Sequence, residues 1–271
     1  MKTIREWQVK LFDFTLGKFV RLIQRSLVVS SPAGEKRFTF EKSPTLWELA
    51  CLDATKESLD FVKSNMQGAL YFHSREAMFT WIQATFGQMA HDDKLNLILE
   101  FGVYSGKSIN MIAELFPTSQ ILGFDSFSGL PEDWAGFKAD GGTKGFFDMS
   151  GQLPTVKSNV ELRVGLFHES LPQFLTEFDS NGYRITLVHF DADLYSSTKF
   201  VLDQLETLLD DYVIFVFDEF FNYPGWKNHE FRAFSEFLSK NEFDASYMGF
   251  SETALCVQVQ RKKAIKSSVE N

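Results

Sequence analysis

Between Leu95 and Val259 the chain alternates short apolar runs with helical patterns, and no other feature narrows its fold so far. The runs predicted as strands are Leu97 to Val103, Gln120 to Asp125, Val160 to Val164, Ile185 to Phe190, Tyr212 to Asp218, Asp244 to Met248 and Ala254 to Val259. Helical periodicity falls at Lys107 to Leu115, Leu171 to Phe178, Ser196 to Leu209 and His229 to Ser239. Strands that alternate with helices build a mostly parallel sheet with helices on both faces. The last two strands have no helix between them, so they are expected to pair as an antiparallel hairpin at one edge.

The residues ahead of this region read as helical. Trp7 to Leu27 mixes Leu11, Phe12, Phe19, Val20 and Ile23 with Lys10, Lys18, Arg21 and Arg25. A basic amphipathic helix of this kind docks on its own domain or on a second subunit, the commoner fate, or lies on an anionic membrane. Pro44-Thr45, Asp53 to Glu57 and Ser74 to Ala77 read as further helix starts, with Ser74 as a cap. The expected organisation is a helical cap over 1–90, a core over 91–262 and a polar tail over 263–271. Within the core, 128–155 holds six glycines together with Pro131, Trp134, Phe137, Phe146, Phe147 and Pro154. A connection this long and this aromatic is either a lid or substrate loop or a packed irregular excursion.

Charge and cysteine content exclude several classes. With 27 basic and 36 acidic residues the net charge is −9, so the broad positive field that attracts nucleic acid is missing and no nucleic-acid partner is expected. Cys51 and Cys256 stand far apart without a neighbour at metal-ligand spacing and read as buried thiols in a reducing compartment. No run reaches the roughly 18 apolar residues of a membrane span, and the first residues lack a cleavable leader pattern. No integral membrane segment and a cytoplasmic location are therefore expected, with a homodimer compatible with an apolar cap.

The residues that carry chemistry cluster at predicted strand ends. Leu97 to Ser108 runs from a buried strand through Gly102 and Gly106 into a helix. The glycines allow close backbone approach, and the helix N-terminus favours an anionic group. The spacing is neither that of a dinucleotide fingerprint nor that of a P-loop. Asp125 ends the second strand, 19 residues after Gly106, where an acid accepts ribose hydroxyls or caps the next turn. Together with the glycine turn it favours an adenosine-containing cofactor. Asp191, Asp218 and Glu219 end the fourth and fifth strands, which the topology places beside the first. Carboxylates that converge need a compensating cation, and oxygen donors suit Mg²⁺. The alternative is that Asp193 caps the next helix and Asp218-Glu219 opens a turn. His189 reads as structural.

These segments resemble the class I S-adenosylmethionine-dependent methyltransferases, and more narrowly the macrocin O-methyltransferase family, which methylates sugar hydroxyls. The resemblance is carried by Glu100-Phe-Gly-Val-Tyr-Ser-Gly-Lys-Ser108, Gly123-Phe-Asp-Ser-Phe-Ser-Gly-Leu-Pro131, Gly165-Leu-Phe-His-Glu-Ser-Leu-Pro172 and Asp191-Ala-Asp-Leu-Tyr-Ser-Ser-Thr198, with Asp218-Glu219 ahead of Pro224-Gly225. It implies an α/β Rossmann-like sheet of seven strands in the order 3-2-1-4-5-7-6. It implies that Glu100, Gly102, Ser105, Gly106 and Ser108 surround the methionine part of S-adenosylmethionine and that Asp125 and Ser126 hold its ribose. Phe167 is a candidate wall for the adenine. Asp191 is implied as both base and metal ligand, with Asp218 and Glu219 completing a Mg²⁺ site; the family has Asp where this chain has Glu219. The expected reaction is a Mg²⁺-assisted O-methylation of a sugar or glycosylated small molecule. Two other classes compete: a glycosyltransferase using Asp191-Ala-Asp193 as a DxD motif, and a non-catalytic binding protein of the same fold.

Overall fold

The computed structural model describes residues 44–87, 94–134, 142–178, 182–209, 212–240 and 243–262. The basic helix expected over Trp7 to Leu27, the tail 263–271 and Phe137 lie outside the described residues. The chain forms two compact units, Met1–Leu49 and Ala50–Asn271. The second contains the whole sheet and the site described below.

Helix α1 (Leu46–Asn65) starts where Pro44-Thr45 predicted. Thr45 Oγ1 accepts from the Glu48 amide at 3.2 Å while the Glu48 carboxylate accepts from the Thr45 amide at 2.8 Å, a reciprocal cap that closes the first turn. No second helix begins at Asp53, which lies inside this 20-residue element. A two-residue strand β1 (Leu70–Tyr71) follows, then α2 (Arg75–Phe86), whose N-cap Ser74 accepts from the Ala77 amide.

The remaining elements are β2 (Leu95–Phe101), α3 (Lys107–Leu115), β3 (Gln120–Asp125), β4 (Val160–Val164), α4 (Phe167–Glu177), β5 (Tyr183–Phe190), α5 (Tyr195–Leu205), β6 (Tyr212–Phe217), α6 (Glu230–Lys240), β7 (Phe243–Phe250) and β8 (Leu255–Arg261). The sheet order is β1-β7-β8-β6-β5-β2-β3-β4. Seven of these strands reproduce the expected order. The eighth, β1, pairs parallel with β7 and is too short to leave a periodic signal in sequence. The β7–β8 hairpin is antiparallel as expected, with β8 also pairing antiparallel to β6. No helix among the described residues is long and apolar enough to cross a membrane.

The sheet separates two cores. Against one face lie α2 and α3, with Met78, Phe79, Ile82, Ile109 and Ile112 fully buried. The other face is richer in phenylalanine. Phe124, Phe101, Phe190 and Phe217 occupy one register line across β3, β2, β5 and β6. Their rings stack in sequence, with centroids 4.8 Å apart for Phe124–Phe101, 6.1 Å for Phe101–Phe190 and 4.7 Å for Phe190–Phe217. Offset stacks at these separations add to the burial energy of large rings. Because successive strand residues point to opposite faces, whatever follows each phenylalanine emerges at the carboxyl edge on the other side. Those following residues are Asp125, Gly102, Asp191 and Asp218. The ladder hydrogen bonds continue through them: Gly102 N–H donates to Phe124 O, Asp191 N–H to Phe101 O and Asp218 N–H to Phe190 O, at 2.9–3.0 Å.

Candidate active site

One cavity of about 570 Å³ opens along this edge, within the size range of small-molecule sites. At one end are Asp125, Ser126, Gly165, Leu166 and Phe167, with Tyr104 and Phe147 beside them. At the other are Arg75, Asp191, Asp193, Asp218 and Glu219. Gly102 lies at the junction, and Gly129, Leu130, Pro131 and Glu132 of the 128–155 segment contribute further wall. Tyr104, Phe147 and Asp193 all carry positive φ without being glycine, a conformation that costs energy and recurs at binding sites.

The first end is tightly organised by backbone. Asp125 Oδ2 accepts from the amides of Val103 and Tyr104 at 2.8 and 2.7 Å, and Oδ1 from that of Phe127 at 2.7 Å. Its carboxylate thereby fixes the turns after β2 and β3 while facing the cavity. Gly102 has φ +98°, and a Cβ there would stand 1.9 Å from the Asp191 carbonyl oxygen, so only glycine fits. Gly106 also lies in the left-handed region, at φ +77°, as the N-cap of α3. Phe167 meets Phe101 edge-on with centroids 5.3 Å apart, which connects the cavity wall to the phenylalanine row.

Four of the expected cofactor residues do not line the cavity. Glu100 and Ser108 are buried behind it, with Ser108 Oγ donating to Glu100 Oε1 at 2.9 Å and His189 Nδ1 3.1 Å from Glu100 Oε2. Ser105 is exposed on the turn, and Gly106 packs against Pro154. Gly102, Asp125, Ser126 and Phe167 do line it.

The second end gathers more carboxylates than cations. Arg75, on the first turn of α2, places Nη1 2.5 Å from Asp218 Oδ1 and 3.3 Å from Asp191 Oδ2. His189 lies between Glu100 and Asp218, with Nε2 3.9 Å from Asp218 Oδ1. Burial opposes charge on His189, but the carboxylates of Asp218, Glu100 and Asp191 outweigh it and lift its pKa to about 10. Burial also acts against ionised Asp218, yet His189 and Arg75 hold it down at about 2. Asp191 is pushed up to about 7 by burial and by the Asp218 carboxylate. Burial first, and then the surrounding carboxylates, raise Asp193, Glu219 and Glu230 well above the usual range.

Carboxylate oxygens of Asp191, Asp193 and Glu219 come within 4.8 Å of one another, as do a ring nitrogen of His189 and oxygens of Asp191 and Asp218. Asp191 belongs to both groups. Asp193, read from sequence as a helix cap, does not cap α5: the N-cap is Leu194, without a side-chain bond. It is buried in the cluster instead. The donor chemistry fits a hard divalent cation. Two buried carboxyl oxygens, Glu219 Oε2 and Glu230 Oε1, have no hydrogen-bond partner, and the carboxyl groups outnumber Arg75 and His189, so bound protons or a metal ion make up the balance.

Sequence reasoning missed Arg75 and Glu230. Arg75 had only its position after the capping Ser74 to mark it. Glu230 begins α6 and is fully buried, with Oε2 accepting from the Glu219 amide at 3.3 Å; nothing local distinguishes it from a surface acid.

A family model described as a methyltransferase domain matches residues 99–220. No curated protein matches the chain. Among solved structures, that of CalS11, a calicheamicin methyltransferase, is 21% identical, covers 86% of this chain and 99% of its own, and superposes with a TM-score of 0.51. That of the O-methyltransferase NovP is 17% identical, covers 70% and 80%, and has a TM-score of 0.47. The matched interval takes in the glycine turn, Asp125, Asp191 and Asp218-Glu219 as parts of one domain. The DxD glycosyltransferase reading has no use for the first two and is set aside.

Proposed function

We propose that this class I S-adenosylmethionine-dependent methyltransferase, which resembles the macrocin O-methyltransferases, delivers the methyl group to a hydroxyl oxygen of a sugar or glycosylated small molecule with the help of Mg²⁺. The observation that carries the reading is the single register line that sets Asp125 and the acid cluster at opposite ends of one cavity. A donor and an acceptor bound at the two ends face each other across Gly102, and such positioning by itself supplies much of a bimolecular rate enhancement.

Bound S-adenosylmethionine supplies the electrophilic methyl, and a divalent cation supplies Lewis acidity to an adjacent hydroxyl. Asp191, Asp193 and Glu219, whose oxygens gather, with Asp218 beside Asp191, are the side chains that would hold that cation. Asp191 is also the proposed base, taking the hydroxyl proton on a carboxylate oxygen. Leu166 and Phe167 give the donor end an apolar wall that limits its contact with water. Asp125 and the glycine turn shape the cofactor cradle, and the buried Ser108–Glu100–His189 chain supports Asp218 from behind.

The test combines binding and turnover. S-adenosylhomocysteine is expected to bind with 1:1 stoichiometry in calorimetry, and labelled methyl from S-adenosylmethionine to appear on a hydroxyl of a nucleotide-sugar or glycoside panel. Stripping divalent ions with EDTA is expected to lower that turnover at least about tenfold, and Mg²⁺ to restore it. Methylation of a nitrogen or carbon acceptor, or turnover indifferent to EDTA, would refute the proposal.

A further inference from the structure

We propose that Arg75 is a tethered counter-cation of the acid cluster, which a divalent ion must displace from Asp191 and Asp218 in order to bind. The inference rests on the reading that the cluster holds such an ion. Nη1 of Arg75 already bridges the two carboxylates, at 2.5 and 3.3 Å, and Asp191 is the side chain shared by both groups of donor atoms able to hold a metal. A guanidinium and a metal ion compete for the same oxygen lone pairs. Two cations held that close in a half-buried site also repel strongly.

The geometry leaves one way for the conflict to resolve. Helix α2 is anchored by the fully buried Met78, Phe79 and Ile82 and by the Ser74 cap, so it does not carry Arg75 away as a unit. The arginine stem is long and has several rotatable bonds, so the head group can leave while the helix stays. The cluster still favours a second cation, because the fully buried Glu230 retains an unpartnered carboxyl oxygen beside Glu219. One tethered charge offsets one carboxylate charge of the Asp191–Asp218 pair and leaves the other carboxyl groups of the cluster to be met by protons or a second cation. Metal affinity is then set by the difference between the two cations, and Arg75 keeps the cluster compatible with the folded state when the metal is absent.

Calorimetric titration of MnCl₂ into wild-type, Arg75→Gln and Arg75→Lys proteins, without cofactor or acceptor, tests this directly. Arg75→Gln is expected to bind Mn²⁺ at least about tenfold more tightly than wild type, and Arg75→Lys, whose shorter arm and single point charge bridge less well, about threefold more tightly. A merely structural arginine predicts the opposite sign, because its loss would loosen the site and weaken Mn²⁺. Equal affinities in wild type and Arg75→Gln overturn the proposal while leaving the cation reading intact. Absence of binding in all three overturns both. Binding by Arg75→Gln but not by wild type upholds the role of Arg75 and removes the metal from the native reaction. Should Arg75→Gln fail to fold, Arg75→Lys decides alone, and an affinity equal to or weaker than wild type counts against the proposal.

Discussion

Asp125 and Asp191 each follow a phenylalanine at the carboxyl end of a parallel strand, yet they meet opposite fates. Three backbone amides satisfy Asp125, so its charge is spent on fixing two turns. Asp191 stands among Asp193, Asp218, Glu219 and Glu230 with Arg75 and His189 as the nearby cations, and burial with Asp218 pushes its pKa to about 7. In sequence the two ends share the same Phe-Asp pair. The difference teaches that a carboxylate satisfied by its own loop builds shape, whereas carboxylates left in excess build a place for a ligand or a proton.

The comparison can be broken most severely at Asp191. Asp191→Asn is expected to lower methyl-transfer kcat by about 10³-fold, or about 4 kcal/mol of barrier, while S-adenosylhomocysteine affinity in calorimetry stays near wild type. If both fall together, Asp191 belongs to the cofactor end after all. Gly102→Ala comes next, because the new methyl meets the Asp191 carbonyl and the left-handed backbone is penalised. A loss of about 3 kcal/mol in urea unfolding is expected, and an unchanged midpoint would mean that the two strand ends are not held so close.

Asp125→Ala removes the acceptor of three amides and is expected to cost about 2 kcal/mol in the same unfolding experiment. It should weaken S-adenosylhomocysteine but not Mn²⁺. Weaker Mn²⁺ binding would erase the contrast drawn between the two ends. The smallest effect has the opposite sign. Glu230→Gln takes one carboxyl out of a crowded buried group and is expected to raise the melting temperature by about 2–4 °C, equivalent to about 1 kcal/mol. A lower melting temperature by calorimetry would show that Glu230 is paired rather than repelled.

Much of this was legible from residues whose meaning is local. The strand and helix runs are set by hydrophobic period, which each segment carries by itself. The glycine turn at Gly102 and Gly106 and the acids at the ends of β3, β5 and β6 were readable for the same reason, since the type of residue and its place at the end of a run suffice. Asp193 was misread as a cap because a short acid ahead of a helix normally caps it; here Leu194 takes the N-cap position and the carboxylate turns into the cavity. Glu100 and Ser108 were placed around the cofactor because the family resemblance implies it. Strand alternation and helix phase send both side chains behind the glycine turn, to each other and to His189.

The chain by itself determined the layered α/β architecture, the strand order carried by the family resemblance, and the residue types at each strand end, because all of these follow from patterns within single segments or ordered motifs. Only the tertiary structure decided which carboxylates crowd together, which one the backbone satisfies, and that Arg75 from a helix outside the matched domain enters the acid cluster. Those outcomes depend on register and on side-chain direction between segments far apart in sequence. A pair such as Arg75 and Asp218 is separated by 143 positions and nothing local to either residue signals the other, so its charge balance exists only once the sheet has aligned its four phenylalanines.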